Sequence, residues 1–310
     1  MERETWLKER RKGIGGTDIS AITGLNPYVS KTHVWQEKLG LIEVPENEVM
    51  KWGKRLERAI ADEYAEREGV QITQGQLITR ERDGVKLMGT PDFLVNDKEK
   101  GLEVKTASAY AKGWGNGNAD IPQHYFIQCQ WYMMLLGYKR WDLAVLIGGN
   151  DYRVYRLEAH PNLQEILIQR GVDFWKTYVE TQEMPPPDSS DDYTKAVSSK
   201  IENADDPIIA GETVTKIANA LAGTKMQIKQ LEEQATLYQN QLLTVMKDGR
   251  ANRIHGDNWI ASAIEMPGRK STNWKQVTKD MNIPQETLDK HTKLGQSYRV
   301  FRFKHEAGVE

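Results

Sequence analysis

With 310 residues, 39% hydrophobic, and nine Trp, the chain can bury one large core, or a core plus a smaller second unit. Its 42 basic and 44 acidic residues nearly cancel, so any nucleic-acid surface has to be a local patch and not a global field. The single cysteine, Cys129, excludes a disulfide framework and a Cys-ligated iron–sulfur or zinc centre, and no apolar run is long enough to span a bilayer.

The first segment, MERETWLKERRK, carries charge with no apolar stretch behind it, so no secretory signal is read there and a reducing cytoplasm is expected. Arg10-Arg11-Lys12 then precede Gly13-Ile14-Gly15-Gly16-Thr17-Asp18, which leads into Ile19-Ser20-Ala21-Ile22. A helix N-terminus with a hydroxyl at Thr17 and a flanking Arg suits a phosphate. A tight turn and a cap account for the same residues, and Asp18, which would repel a phosphate, is assigned to capping.

Ser30 to Gly40 reads as a helix, Glu43 to Glu48 as a polar connection, and Met50 to Glu68 as a stronger helix whose Leu56, Ala59, Ile60 and Tyr64 share a face. Glu57 borders that face. It is either solvated or, if the helix packs behind a sheet, turned toward the residues considered next.

Val70 to Thr79 alternates as a strand. After Gly89-Thr90-Pro91-Asp92, the strand Phe93-Leu94-Val95 runs into a polar turn and returns as Leu102-Glu103-Val104-Lys105. With period two, Leu102 and Val104 share one face and Glu103 and Lys105 the other, and the hairpin sets Asp92 beside Glu103. Two close carboxylates repel unless a cation lies between them. Hard carboxylate oxygens select Mg²⁺ or Mn²⁺. Such an ion with a neighbouring ammonium suits phosphodiester hydrolysis, with Asp92, Glu103, Lys105 and Glu57 as the candidate catalytic residues. A solvated edge strand would carry the same acid-x-Lys triplet.

Tyr110 to Asn118 is a Gly- and Asn-rich loop beside this site. Pro122 to Leu136 is a helix apolar almost all round and therefore buried, with Gln128 and Tyr132 one above the other. A buried Gln needs a partner: neighbouring backbone, a phosphate or the catalytic strand. Trp141–Ile147 and Tyr152–Leu157 form a hairpin, and Pro161 to about Thr181 a closing helix. The run from Met184 to Asp192 reads as a boundary. The expected division is a domain over 1–185, a linker over 186–210 and an appendage over 211–310.

In the appendage, Glu212 to Lys247 is helical with Ile217, Leu221, Ile228, Leu231, Leu237, Leu242 and Val245 in an irregular pattern near that of a coiled coil or helical hairpin. Two strands over Arg250–Pro267, helix over Asn273–Lys290 and a last strand over Tyr298–Phe303 complete a small α+β unit. Its Lys and Arg would guide DNA, dock a partner or face solvent.

The order helix, strands with Asp…Glu-x-Lys, buried helix, strands resembles the core of PD-(D/E)XK nucleases. Gly13–Asp18, Trp52-Gly53 through Leu56-Glu57, Gly89–Asp92, Leu102–Lys105 and Gln128 with Tyr132 together resemble the YqaJ-like viral recombinases, relatives of phage lambda exonuclease. The resemblance covers roughly the first 185 residues. It implies an α/β, restriction-endonuclease-like fold with a mixed sheet and helices on both faces. It further implies metal at Asp92, Glu103, the Val104 carbonyl and Glu57, with Lys105 at the attacking water. Arg11 and Thr17 would hold a terminal phosphate, and Gln128 with Tyr132 would support the site. The implied activity is Mg²⁺- or Mn²⁺-dependent 5′→3′ degradation of linear double-stranded DNA from its ends. It would be exercised by a trimeric ring beside a single-strand annealing protein, in phage or prophage recombination in the bacterial cytoplasm. A structure-specific or single-strand endonuclease and a non-catalytic recombination protein are the rival readings.

Overall fold

The first unit is built on one parallel strand pair. β5 (Lys100–Ala107) and β6 (Arg140–Ile147) run side by side in register Lys100↔Arg140 through Ala107↔Ile147. A parallel pair needs a crossover, and here it is α4 (Gln123–Leu136), closed by Gly137 in the left-handed conformation. The computed structural model describes residues 8–43, 46–96, 99–202, 207–293, 295 and 301. It divides into two compact units, Met1–Ile201 and Glu202–Glu310.

Around the parallel pair the sheet is antiparallel. β4 (Phe93–Val95) pairs with β5, β1 (Ile72–Gln74) with β4, and β7 (Asp151–Glu158) with β6, giving the order β1-β4-β5-β6-β7. β2 (Ile78–Arg82) and β3 (Val85–Gly89) form a separate hairpin, whose turn residues Asp83 and Gly84 both have positive φ, as its tight turn requires. The single strand expected over Val70–Thr79 is therefore two pieces in two sheets.

Helices cover both faces of the large sheet. α3 (Glu48–Glu68) packs Ile60, Ala61 and Tyr64 against Phe93, Leu102 and Val104. The other face meets α4 with Trp131, Trp141, Leu143 and Val145 in the main core. Gly101 is required here: a Cβ would lie 2.2 Å from the Trp141 ring. α1 (Gly16–Ile22), α2 (Lys31–Lys38) and α5 (Pro161–Phe174) complete that layer, and α5 runs on as a π-helical turn, Trp175–Val179. No helix among the described residues is long and apolar enough to cross a membrane.

The expected linker over 186–210 starts too early. α6 (Asp191–Ser198) belongs to the first unit, where Ser30 Oγ donates to Asp192 at 2.9 Å and Lys200 lies over the Trp35 ring at 5.2 Å. The Pro-rich run is an extended arm that brings these acids back to α2.

In the second unit, α7 (Glu212–Asp248) is one continuous helix and not a helical hairpin. It is followed by a hairpin of β8 (Arg253–His255) and β9 (Ile260–Ser262), then α8 (Trp274–Asp280) and α9 (Gln285–His291). The strand expected over Tyr298–Phe303 lies, all but Phe301, outside the described residues.

One buried ion cluster pins the N-terminal loop. Asp18, 1% exposed, takes the Lys38 ammonium at 2.5 Å, the Arg10 guanidinium at 3.0 Å and the Gly15 N–H at 2.8 Å. Burial pushes its carboxyl up, but Lys38 and Arg10 outweigh that and hold it well below the usual carboxylate range. Replacing Asp18 by Asn leaves Lys38 buried without its counter-charge, at a cost of roughly 3–5 kcal/mol. A depressed native pKa stabilises the fold above the unfolded carboxylate range, near pH 4, and that contribution fades as pH falls through the native value. Urea unfolding is expected to show the full deficit of D18N at neutral pH and a shrinking one below about pH 4.

Candidate active site

The antiparallel register of β4 and β5 ends at Phe93↔Leu102, so Asp92 sits beside Glu103 at the rim of the sheet. Asp92 Oδ2 accepts the Val104 N–H at 2.8 Å, which ties the carboxylate to the strand it faces. Glu103 is 1% exposed, and its Oε1 accepts from both Lys105 Nζ and Gln128 Nε2, the latter at 2.7 Å. Gln128 also donates to the Tyr132 hydroxyl at 3.0 Å. Of the partners open to Gln128, it takes Glu103 on β5.

The electrostatics follow from this crowding. Burial, then the Asp92 charge, push the Glu103 carboxyl up to about 8, with Lys105 offsetting part of the rise. Asp92 is raised chiefly by burial. Burial pulls the Lys105 ammonium down, but Glu103 and Asp92 more than restore it, so the proton stays on the lysine. Its Nζ also lies 5.3 Å from the Tyr125 ring centroid. Glu57, on α3, is raised by burial and by Asp92.

A cavity of about 420 Å³ is lined by Glu57, Asp92, Lys105 and Gln128 together with Thr17, Tyr28 and His124. Thr17 also borders a smaller cavity of about 80 Å³ that reaches Arg10, Gly16, Gly89 and Tyr132. The sequence-predicted set thus comes together except for Arg11. Neighbours on a helical turn point about 100° apart, and with Arg10 turned inward to Asp18, Arg11 lies against Gly40 and lines neither cavity.

Sequence reasoning passed over His124. It stands four residues before Gln128, in the same column as Tyr132, and that spacing was the available signal. Its ring packs against Tyr28 and Tyr125, with centroids 5.6 and 4.0 Å away. Its buried Nε2 has no partner among the described residues.

The donor chemistry fits a hard divalent cation. Glu103 Oε2 is buried with no protein donor, directly beside a second carboxylate. Among the described residues, no three His, Cys, Asp or Glu side chains gather into a metal-holding group. An ion held by Asp92 and Glu103 would complete its shell from backbone oxygen and water, which is how Mg²⁺ is commonly bound.

A model of the YqaJ-like viral recombinase domain matches residues 5–139, a span that includes Glu57, Asp92, Glu103, Lys105, Gln128 and Tyr132. Among solved structures, the chain is similar to an alkaline exonuclease from Laribacter hongkongensis (17% identity, TM-score 0.45), with 64% of this chain and 98% of that one covered. It is also similar to a phage-related exonuclease from Haemophilus somnus 129PT (14% identity, TM-score 0.43), with 58% and 100% covered. At such identities and TM-scores neither likeness bears on activity. The curated relative is nearer: YqaJ of Bacillus subtilis (strain 168) is 33% identical over 256 residues, 80% of this chain and 79% of that protein. With that identity spread over most of both proteins, the chain belongs to the YqaJ-like viral recombinase family.

Proposed function

We propose that this protein is a divalent-metal-dependent DNA exonuclease of phage-type recombination, hydrolysing linear duplex DNA from its ends in the 5′→3′ direction. The observation that carries the reading is Asp92 and Lys105 on the wall of one cavity with Glu103 buried beside them, its Oε1 bonded to Lys105 and its Oε2 left without a donor among the described residues. Family membership supports the recombination context. The polarity rests on the resemblance of the motif set to the relatives of lambda exonuclease.

A bound Mg²⁺ or Mn²⁺ would supply Lewis-acid polarisation of the phosphoryl oxygen and a more acidic water. The chain's own residues do the rest. Asp92 and Glu103 would present the oxygens for that ion, and the Val104 carbonyl would add another. Lys105, kept protonated by its two carboxylates, orients the attacking water and offsets charge growing on the phosphate. Gln128 fixes the Glu103 carboxylate through a hydrogen bond and is itself steadied by Tyr132. Glu57 lines the same cavity and feels the Asp92 charge, so it would assist at the ion directly or through water.

Hydrolysis of end-labelled linear duplex is expected to require Mg²⁺ or Mn²⁺, to stop with chelator and to resume on adding metal back. Asp92→Ala and Lys105→Ala are each expected to lower the rate by at least about 10²-fold while duplex binding persists. Unchanged turnover in both variants would overturn the site assignment.

Cleavage polarity is read separately, from duplexes labelled at either end and carrying 5′-phosphate or 5′-hydroxyl termini. Release of 5′ label first, with closed circles left intact, is the expected result. Circles cut as fast as linear duplex would make the protein an endonuclease.

A further inference from the structure

α7 is 37 residues long, about 55 Å at the helical rise. Met246 is its only buried residue, so almost nothing in its own unit packs along its length. Helices in proteins take most of their stability from packing an amphipathic face, and Gly223 in mid-helix weakens this one further. A partner for that face is missing from the unit itself.

The apolar seam is more regular than a count of leucines suggests. With Ala235 and Tyr238 taken in place of Leu237, the positions Val214, Ile217, Leu221, Thr224, Ile228, Leu231, Ala235, Tyr238, Leu242 and Val245 alternate steps of three and four without interruption. That is a heptad seam sustained over more than four repeats, the pattern of a coiled coil. Most of its apolar members are exposed, with Ile217 65% and Leu231 64% accessible, and Leu221 and Leu242 are half-buried.

We infer that α7 pairs with α7 of a second copy of this chain as an antiparallel coiled coil. The seam is self-complementary when reversed. Val214 meets the partner's Val245, Ile217 the partner's Leu242, Leu221 the partner's Tyr238, Thr224 the partner's Ala235, and Ile228 the partner's Leu231. Each bulky residue opposes a bulky or medium one, and the two smallest oppose each other. Parallel pairing would set Tyr238 against the partner's Tyr238 in the layer next to an Ala235–Ala235 gap, crowding one level and emptying another.

Charge agrees with the reversed orientation. The positions that follow Thr224 and Leu231 of the seam are Lys225 and Glu232. Antiparallel helices bring Lys225 to the partner's Glu232, and the two-fold axis makes the pair twice. Parallel helices would set Lys225 near Ala220 and Glu232 near Gln227, with no opposite charge.

The area is also sufficient. A fully buried aliphatic side chain removes about 60–120 Å² from water. Eight apolar seam residues on each of two helices then bury roughly 1,000–1,900 Å², in the range of specific, stable interfaces. A lipid surface is a poorer occupant, because α7 carries four Lys (216, 225, 229, 247) balanced by Glu212, Glu232, Glu233 and Asp248, with no cationic excess for anionic headgroups.

Thiol cross-linking of the full chain tests both the pairing and its direction, since Cys129 is buried and unreactive. Positions 224 and 235 are about 16 Å apart along one helix, beyond any short linker within a chain. Antiparallel pairing predicts that Thr224→Cys alone gives no covalent dimer with a short thiol-to-thiol linker, and neither does Ala235→Cys alone. The two variants co-expressed should give one. Efficient cross-linking of Thr224→Cys alone means parallel pairing and overturns the proposal. Sedimentation equilibrium supplies the second reading. Leu231→Glu, a solvent-facing change in the lone helix, should halve the assembly mass with the far-UV spectrum unchanged. A wild-type monomer, or a mass that Leu231→Glu leaves unaltered, also overturns it, and in the first case assigns the seam to a different protein.

Discussion

Asp92 and Glu103 are buried side by side, an arrangement that two ionised carboxylates do not sustain alone. Lys105 eases it: its ammonium lies against Glu103 and is held charged by both acids, while burial and Asp92 push the Glu103 carboxyl up to about 8. The rest of the first unit can be described by what it does for this trio. The parallel pairing of β5 and β6 fixes the strand on which Glu103 and Lys105 alternate with Leu102 and Val104. The apolar members of that alternation are clamped by α3, and the polar members are turned toward α4.

α4 is the most heavily committed helix. It is the crossover that a parallel pair demands, it carries Trp131 and Met133 into the core, and it presents Gln128 to Glu103. A side chain that had to satisfy the buried carboxylate was therefore available only on an element already held in place for other reasons. Trp131 adds a further tie by donating its indole N–H to the Met88 carbonyl at 2.9 Å, which joins the helix to the small hairpin.

Much of this was legible in the residues. Period-two alternation across Leu102–Lys105, with a polar turn upstream, fixes which side chains share a face, and hairpin pairing sets Asp92 beside Glu103. The apolar girth of α4 announces its burial. What escaped reading depended on contacts distant in sequence. Arg10 and Arg11 are equivalent as letters, and only the packing of Lys38 and Asp18 selects Arg10 as the inward one. Three consecutive prolines at 185–187 look like a break, yet Asp188 and Asp192 beyond them meet Thr32 and Ser30, more than 150 positions earlier. Val70–Thr79 alternates as one strand, but its halves are recruited by different partners, β4 and β3.

The small hairpin also carries the loop that leads into α1. Ile14 forms a parallel bridge to Leu87, with its N–H on the Lys86 carbonyl at 2.9 Å and its carbonyl accepting from Met88 at 2.8 Å. β3 then passes through Gly89, Thr90 and Pro91 straight to Asp92. The Thr17 wall and Asp92 thus share a common mount, three residues long and ending in a rigid proline ring. One extra residue spliced into that mount would leave both sheets paired and swing the acid off its rim, so the spacing between loop and acid is as much a part of the site as the acid itself.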